Sequence, residues 1–173
     1  KNLQGKEMMD EKAKILIVDD EESNLDLLYR TLRKKYDVKK SLSPLKAIEM
    51  MKEESFRLVI SDHRMPEMDG VELLKHVYDN YSDTMRILLT AYSEVPILID
   101  AINYAKIYRY IKKPFNPEEL IIVVDSAVEY YNLKQDNETL INDFKELFSG
   151  TIKAIVETLD AKDSFTVGRS KRV

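Results

Sequence analysis

Between Leu58 and Gly70 the chain reads LVISDHRMPEMDG, an apolar run that stops at Asp62 and gives way to a loop carrying Pro66 and Gly70. A short apolar run bounded by turn residues predicts a strand buried on both faces, and such strands belong to parallel sheets covered by helices. Ligands in those sheets bind just beyond the carboxyl ends of the strands. An aspartate closing such a strand is costly to bury alone, so a metal, a cation or a covalent modification is expected beside it.

The same grammar recurs along the chain. Lys14 to Val18, KILIV, is a second apolar run ending in acid: Asp19, Asp20, Glu21 and Glu22. Leu25, Leu28 and Leu32 predict a helix over Glu22 to Lys35, capped by Ser23 or Asp20, and Asp37 to Leu42 reads as a strand. Ser43-Pro44 opens another helix, with Pro at its first turn. After the opening stretch come a helix over Val71 to Tyr81, a strand over Arg86 to Thr90 and a helix over Pro96 to Tyr104. A strand over Tyr108 to Ile111 and a loop, Lys112-Lys113-Pro114-Phe115, precede a last helix from about Pro117. Five alternations of buried strand and helix predict an α/β fold, a flavodoxin-like doubly wound five-stranded parallel sheet of order 2-1-3-4-5 with a long C-terminal helical extension. That order sets the ends of the first and third strands side by side, so Asp19, Asp20 and Asp62 converge.

Three carboxylates in one pocket repel, and without a counter-ion at least one should have a raised pKa. A divalent cation resolves the repulsion, and oxygen-only donors favour Mg²⁺ over zinc. Expected ligands are Asp62 and Asp20, Asp19 through water, and the backbone carbonyl of Arg64. The fourth strand brings the Thr90 hydroxyl to the same rim, and the fifth brings Lys113, held by the loop residue Pro114 in an expected cis turn. Together they suit phosphoryl transfer onto a carboxylate, with Asp62 as nucleophile.

Residues 14 to about 130 resemble the receiver domain of a bacterial two-component response regulator. The resemblance rests on the Asp19-Asp20 pair after the first strand, D-x-R-M-P-x-M-D-G from Asp62 to Gly70, Thr90-Ala91 after the fourth strand and Lys113-Pro114 after the fifth. It implies phosphorylation of Asp62 by a phosphohistidine of a sensor histidine kinase, with Mg²⁺ as cofactor. It also implies that Thr90, Ala91 and Lys113 bind the phosphoryl group, that Tyr110 moves inward with Thr90, and that Arg64 and Tyr92 tune the lifetime of the phosphorylated form.

Composition narrows the setting. The net charge of −4 over 173 residues argues against a nucleic-acid partner, which normally shows as clustered Lys and Arg. No apolar stretch approaches the roughly 20 residues of a membrane span, and the N-terminus lacks a signal-peptide core. With no cysteine, the chain reads as cytoplasmic, with no membrane partner. Residues 1–12 read as a flexible tail and 13–130 as the receiver.

After Pro117 no Gly or Pro occurs until Gly150. Val123, Tyr130, Asn137 and Phe144 at one heptad position, with Ser126, Leu133, Leu140 and Leu147 at the other, predict a coiled coil over 117–148 and a parallel homodimer in which Asn137 fixes register. The alternative is an amphipathic helix folded back on its own receiver. Beyond Ser149-Gly150 the pattern restarts with Ile152, Ile155, Val156 and Leu159. Residues 151–173 resemble the opening of an HD-GYP domain, a cyclic di-GMP phosphodiesterase, in which L-D-x-x-D-x-x-T-x-G-H-S-x-R-V is typical. Leu159, Asp160, Asp163, Thr166, Gly168, Ser170, Arg172 and Val173 fit. Arg169 stands in place of the histidine, and a guanidinium has no lone pair to give a metal. The residues that would carry hydrolysis are absent, so the sequence reads as part of a longer protein.

The function expected is therefore a phosphorylation-dependent regulator acting through a dimeric helix on an output resembling HD-GYP. The alternative is a receiver-only adaptor whose helical tail docks a partner. A haloacid-dehalogenase-like phosphatase is disfavoured, because its nucleophile is followed two residues later by a second Asp after the first strand. A DNA-binding output is disfavoured by acidity and the lack of a basic recognition helix.

Overall fold

A computed structural model describes residues 12–91, 99 and 103–167, the last seven by backbone alone. Strands β1 (Lys14–Val18), β2 (Asp37–Ser41), β3 (Leu58–Asp62), β4 (Met85–Ala91) and β5 (Arg109–Lys113) form one sheet of order β2-β1-β3-β4-β5, every pair parallel. Helices α1 (Glu22–Leu32), α2 (Pro44–Glu53) and α3 (Gly70–Asn80) connect the first four strands, and α4 (Pro117–Val167) follows β5. Fold class and strand order are those the sequence predicts. The expected tail and most of the expected helix over 96–104 lie outside the described residues.

Alternation along the strands divides the interior into two layers. Ile15, Ile17, Leu58, Ile60, Ile87 and Leu89 face α1 and the first turns of α4. Leu16, Val18, Val59 and Leu88 face α2 and α3, which contribute Ala47, Met51, Leu73, Leu74 and Val77. Most of these side chains have no exposed surface, and each buried leucine or isoleucine contributes about 1.5–3 kcal/mol. With both faces covered, the central strands need no polar side of their own, which is why they read as continuous apolar runs.

The element ends differ from expectation for local reasons. Helix α1 stops at Leu32, not Lys35, because the N–H groups of Lys35 and Tyr36 both turn back to the Leu32 carbonyl. Tyr36 is then 6% exposed, and its hydroxyl donates to Asp125 on α4. Lys35 reaches the same carboxylate at 2.7 Å. The N-cap of α1 is Glu21, with no side-chain cap, and neither Ser23 nor Asp20 serves. Helix α3 begins on a full capping box: Asp69 Oδ1 accepts from Glu72 N at 2.8 Å, and Glu72 Oε2 accepts from Asp69 N at 3.1 Å.

The largest difference concerns the C-terminal helix. Ser149-Gly150 is no break, because α4 runs without interruption from Pro117 to Val167. The chain forms two compact units divided within this helix, between Tyr131 and Asn132. In the first, Leu120, Val124, Ala127 and Val128 complete the receiver core, and Val123 packs against it. Val123 is thus taken up by the receiver and is not free for a seam, which corrects the heptad reading at its N-terminal end. In the second, Leu133, Leu140, Phe144 and Leu147 are 61–71% exposed.

Candidate functional site

The ends of β1, β3 and β5 meet because β3 pairs with β1 on one side and β4 on the other, and β4 pairs with β5. Val18 lies beside Ser61, so Asp19 and Asp62 emerge as neighbours, while Ala91 lies beside Lys113. Carboxylate oxygens of Asp19, Asp20 and Asp62 fall within 4.8 Å of one another. Asp19 is fully buried, Asp62 is 8% exposed, and Asp20 faces solvent.

Lys113 spans the two buried acids. Its Nζ lies 2.6 Å from Asp62 Oδ1 and 3.1 Å from Asp19 Oδ2. The second oxygen of Asp62 accepts from the Arg64 N–H at 3.2 Å. Asp19 also accepts from Glu21 N at 2.9 Å and from Asn24 Nδ2 at 3.1 and 3.2 Å. Burial pushes the Asp62 carboxyl above its ordinary value, Lys113 pulls it back, and Asp19 adds to the rise. A raised carboxyl is what the sequence predicts of this cluster, but burial outweighs repulsion as its cause. For Lys113 burial acts downward, and the ion pairs with Asp62 and Asp19 overcome it, leaving the ammonium above its ordinary value.

The remaining expected residues fall around this centre. Thr90 follows Leu89, the β4 partner of Asp62, and is 1% exposed. Ala91 closes β4, and Pro114 follows Lys113 through a cis peptide bond. Tyr110 stands apart, 38% exposed, on a groove of about 700 Å³ lined among the described residues by Tyr108, Arg109, Lys112, Pro114 and Glu119. Tyr92 lies outside the described residues.

One residue of the site escapes sequence reasoning, and another is read there only as part of a motif. Asn24 locks Asp19 through its amide, and the signal available is only a carboxamide in the helical turn after an acid pair. Gly70 is needed for proximity: a Cβ there would lie 1.9 Å from the Asp62 carbonyl oxygen. The Gly70 N–H donates to the His63 carbonyl at 2.8 Å, which draws the start of α3 onto the end of β3.

The carboxylate cluster fits a hard divalent cation. Its donors are all oxygen, two are held by other groups, and exposed Asp20 leaves room for water ligands. No helix among the described residues is long and apolar enough to cross a membrane.

Comparison with known proteins agrees with this geometry. Residues 15–125 match the family model of the response regulator receiver domain. The hydrogenase transcriptional regulatory protein HoxA of Bradyrhizobium diazoefficiens is 37% identical over 142 residues, 82% of this chain and 29% of that protein. The putative response regulator NtrX-like protein of Rickettsia felis is 30% identical over 159 residues, 87% of this chain and 33% of that protein. The chain thus spans about a third or less of these relatives. Among solved structures, the signal receiver domain of an HD domain-containing protein from Pseudomonas fluorescens Pf-5 superposes with a TM-score of 0.69 at 31% identity, covering 73% of this chain and 93% of that one.

Proposed function

The chain belongs to the response regulator receiver family, and from that premise we propose that Asp62 is the phosphoacceptor of a two-component system, loaded by a sensor histidine kinase in the cytoplasm. The observation that carries this reading is the Lys113 ammonium held 2.6 Å from Asp62 in a pocket shared with Asp19 and Asp20. In the transfer, one Asp62 oxygen attacks the phosphorus of a phosphohistidine. The new P–O bond forms as the P–N bond breaks, and the imidazole leaves with the electron pair of that bond.

Asp62 is prepared for this by its neighbours. The Arg64 N–H and the Lys113 ammonium orient the carboxylate, and Lys113 opposes the upward push of burial on its pKa. Asn24 and the Glu21 N–H hold Asp19 in place. Thr90 and Ala91, at the end of β4, supply a hydroxyl and a backbone group to the incoming phosphoryl oxygens, and Tyr110 responds on the outer groove. Asp19, Asp20, Asp62 and the Arg64 carbonyl would hold Mg²⁺, which when bound neutralises charge on the carboxylates and the phosphoryl oxygens.

Incubation with acetyl phosphate and Mg²⁺ should add one phosphoryl group to the wild-type chain, read by intact mass. Asp62→Asn should take none. An unlabelled wild type, or equal labelling of both proteins, would overturn the assignment.

Signal is proposed to leave through α4 as a parallel homodimer, with Tyr130, Leu133, Asn137, Leu140, Phe144 and Leu147 in the seam. Its exposed apolar side chains support this, and Asn137 is an amide able to pair with its own copy. The output proposed is HD-GYP-like. The motif residues from Leu159 to Val173 support it, as does likeness to the receiver of an HD domain-containing protein. A second reading, transcriptional control, is favoured by the names of relatives such as HoxA. The full-length protein distinguishes them: hydrolysis of cyclic di-GMP supports the first reading, and promoter DNA binding without hydrolysis supports the second.

A further inference from the structure

The heptad register that starts at Tyr130 fails at a definite place. Continued from Phe144 and Leu147, it puts Thr151, Ala154 and Thr158 in the seam, which are small or polar. The threonines have turned their hydroxyls onto their own helix, to the Leu147 carbonyl at 2.9 Å and the Ala154 carbonyl at 2.7 Å. One position further on stand Phe148, Ile152, Ile155 and Leu159, which are 47–58% exposed. The apolar stripe therefore advances by one residue, and it does so within an unbroken helix.

The steps locate the shift. Traced from Asn137 through Leu140, Phe144, Phe148, Ile152, Ile155 and Leu159, the stripe has spacings of 3, 4, 4, 4, 3 and 4, with Ile141, Leu147 and Val156 as further exposed apolar residues beside it. A left-handed coiled coil alternates 3 and 4, so the three successive fours are foreign to it. Between Asn137 and Ile152 four steps take fifteen residues, about 3.75 residues each against 3.6 for a straight helix. Patterns longer than 3.6 favour a straight or right-handed pairing. Two features mark the same place. The rings of Phe144 and Phe148 stack with centroids 6.1 Å apart and planes 14° apart. Gly150 follows two residues after Phe148 and stands in open space, with nothing beyond its chain neighbours and its own helix backbone within 4 Å of where a Cβ would be.

Resting on the proposed dimer, we propose that α4 pairs with a second copy of itself along a seam that changes phase between Phe144 and Ile152, passing from Leu133, Asn137 and Leu140 to Phe148, Ile155 and Leu159. A second copy is the occupant because the stripe complements itself. Asn137, being both donor and acceptor, is satisfied by the same residue across a two-fold axis. In a parallel pair Glu129 of one copy meets Lys134 of the other at the flanking positions. The interface then extends well past residue 148, through Gly150 to Leu159, and the two helices lose their left-handed winding in the middle.

The absence of cysteine from the chain makes this directly readable. Single cysteines are placed at Leu133, Leu140, Thr151, Ile152, Ala154, Ile155, Thr158 and Leu159 in the whole chain. Disulfide-linked dimer is measured after mild oxidation, beside sedimentation of the unoxidised proteins. The expected result is efficient linking at 133, 140, 152, 155 and 159, with severalfold less at 151, 154 and 158. Linking at 133 and 140 together with 151, 154 and 158 overturns the phase change and leaves the dimer standing. Equal linking at both C-terminal sets also overturns it. Monomeric sedimentation with no linking at 133 or 140 overturns the dimer, and the phase change with it.

Discussion

Replacing Gly70 by alanine should destabilise the receiver by about 3 kcal/mol, at the upper end of what overpacking normally costs. The added methyl carbon would lie 1.9 Å from the Asp62 carbonyl oxygen, 2.9 Å from its carbonyl carbon and 3.0 Å from Leu88 Cδ1. Two of these atoms are backbone in the central strand, so no flexible side chain can swing away. Either α3 lifts from the end of β3, breaking the Gly70 to His63 hydrogen bond, or the Asp62 peptide rotates. Both movements disturb the site as well as the fold. Thermal denaturation followed by circular dichroism should show a midpoint lower by roughly 10 °C, with slower labelling by acetyl phosphate in the protein that remains folded. A midpoint within about 2 °C of wild type, the range of a neutral surface change, would show that the approach is not fixed.

Removing Lys113 should be as damaging for a different reason. The Lys113→Ala chain keeps Asp19 and Asp62 where they are, with side chains 1% and 12% exposed, and takes away the cation between them. Breaking a buried pair from one side leaves uncompensated charge, and a loss of about 3 kcal/mol at neutral pH is expected. Its pH dependence has a definite sign. Burial raises the Asp62 carboxyl and Lys113 lowers it, so without Lys113 it rises further. A group that binds protons more tightly folded than unfolded loses stability as pH rises from its ordinary value, 3.8, through its raised one. The gap between variant and wild type should therefore be wide at pH 8 and narrow towards pH 5. Added Mg²⁺ should narrow it as well, by replacing the missing positive charge. Denaturant unfolding at the two pH values checks this, and a gap that widens on acidification would contradict it.

Much of the receiver was legible because its strands obey one simple rule. Helices cover both sheet faces, so ILIV in β1 and LVI in β3 are unbroken apolar runs, and the acids stand out where the runs stop. Asp19, Asp20, Asp62, Thr90 and Lys113 all sit within two residues of a strand end, and strand order alone brings those ends together. What was not legible depends on contacts between distant segments. The clash that makes Gly70 necessary exists only once α3 returns to β3. The contact of Tyr36 with Asp125 joins residues far apart in sequence, and α1 ends earlier than helical periodicity suggested. Val123 satisfied a heptad template equally well as a core residue, because both require an apolar side chain at helical spacing. Gly150 looked like a boundary, yet a helix tolerates one glycine at a cost of about 1 kcal/mol relative to alanine.

The interlocking of α4 with the receiver limits how such a chain can be recombined. Leu120, Val124, Ala127 and Val128 belong to the receiver core, and Asp125 is held by Lys35 and Tyr36. A cut before Pro117 would remove part of one interior layer, so a chimaera must carry this receiver through Tyr131 to keep it intact. Downstream of that junction, length is a rotational setting. Each residue added or deleted turns whatever is attached by about 100° and advances it by about 1.5 Å. Fusions that differ only in linker length should therefore alternate between working and silent with the period of the helix, and not fade smoothly with distance.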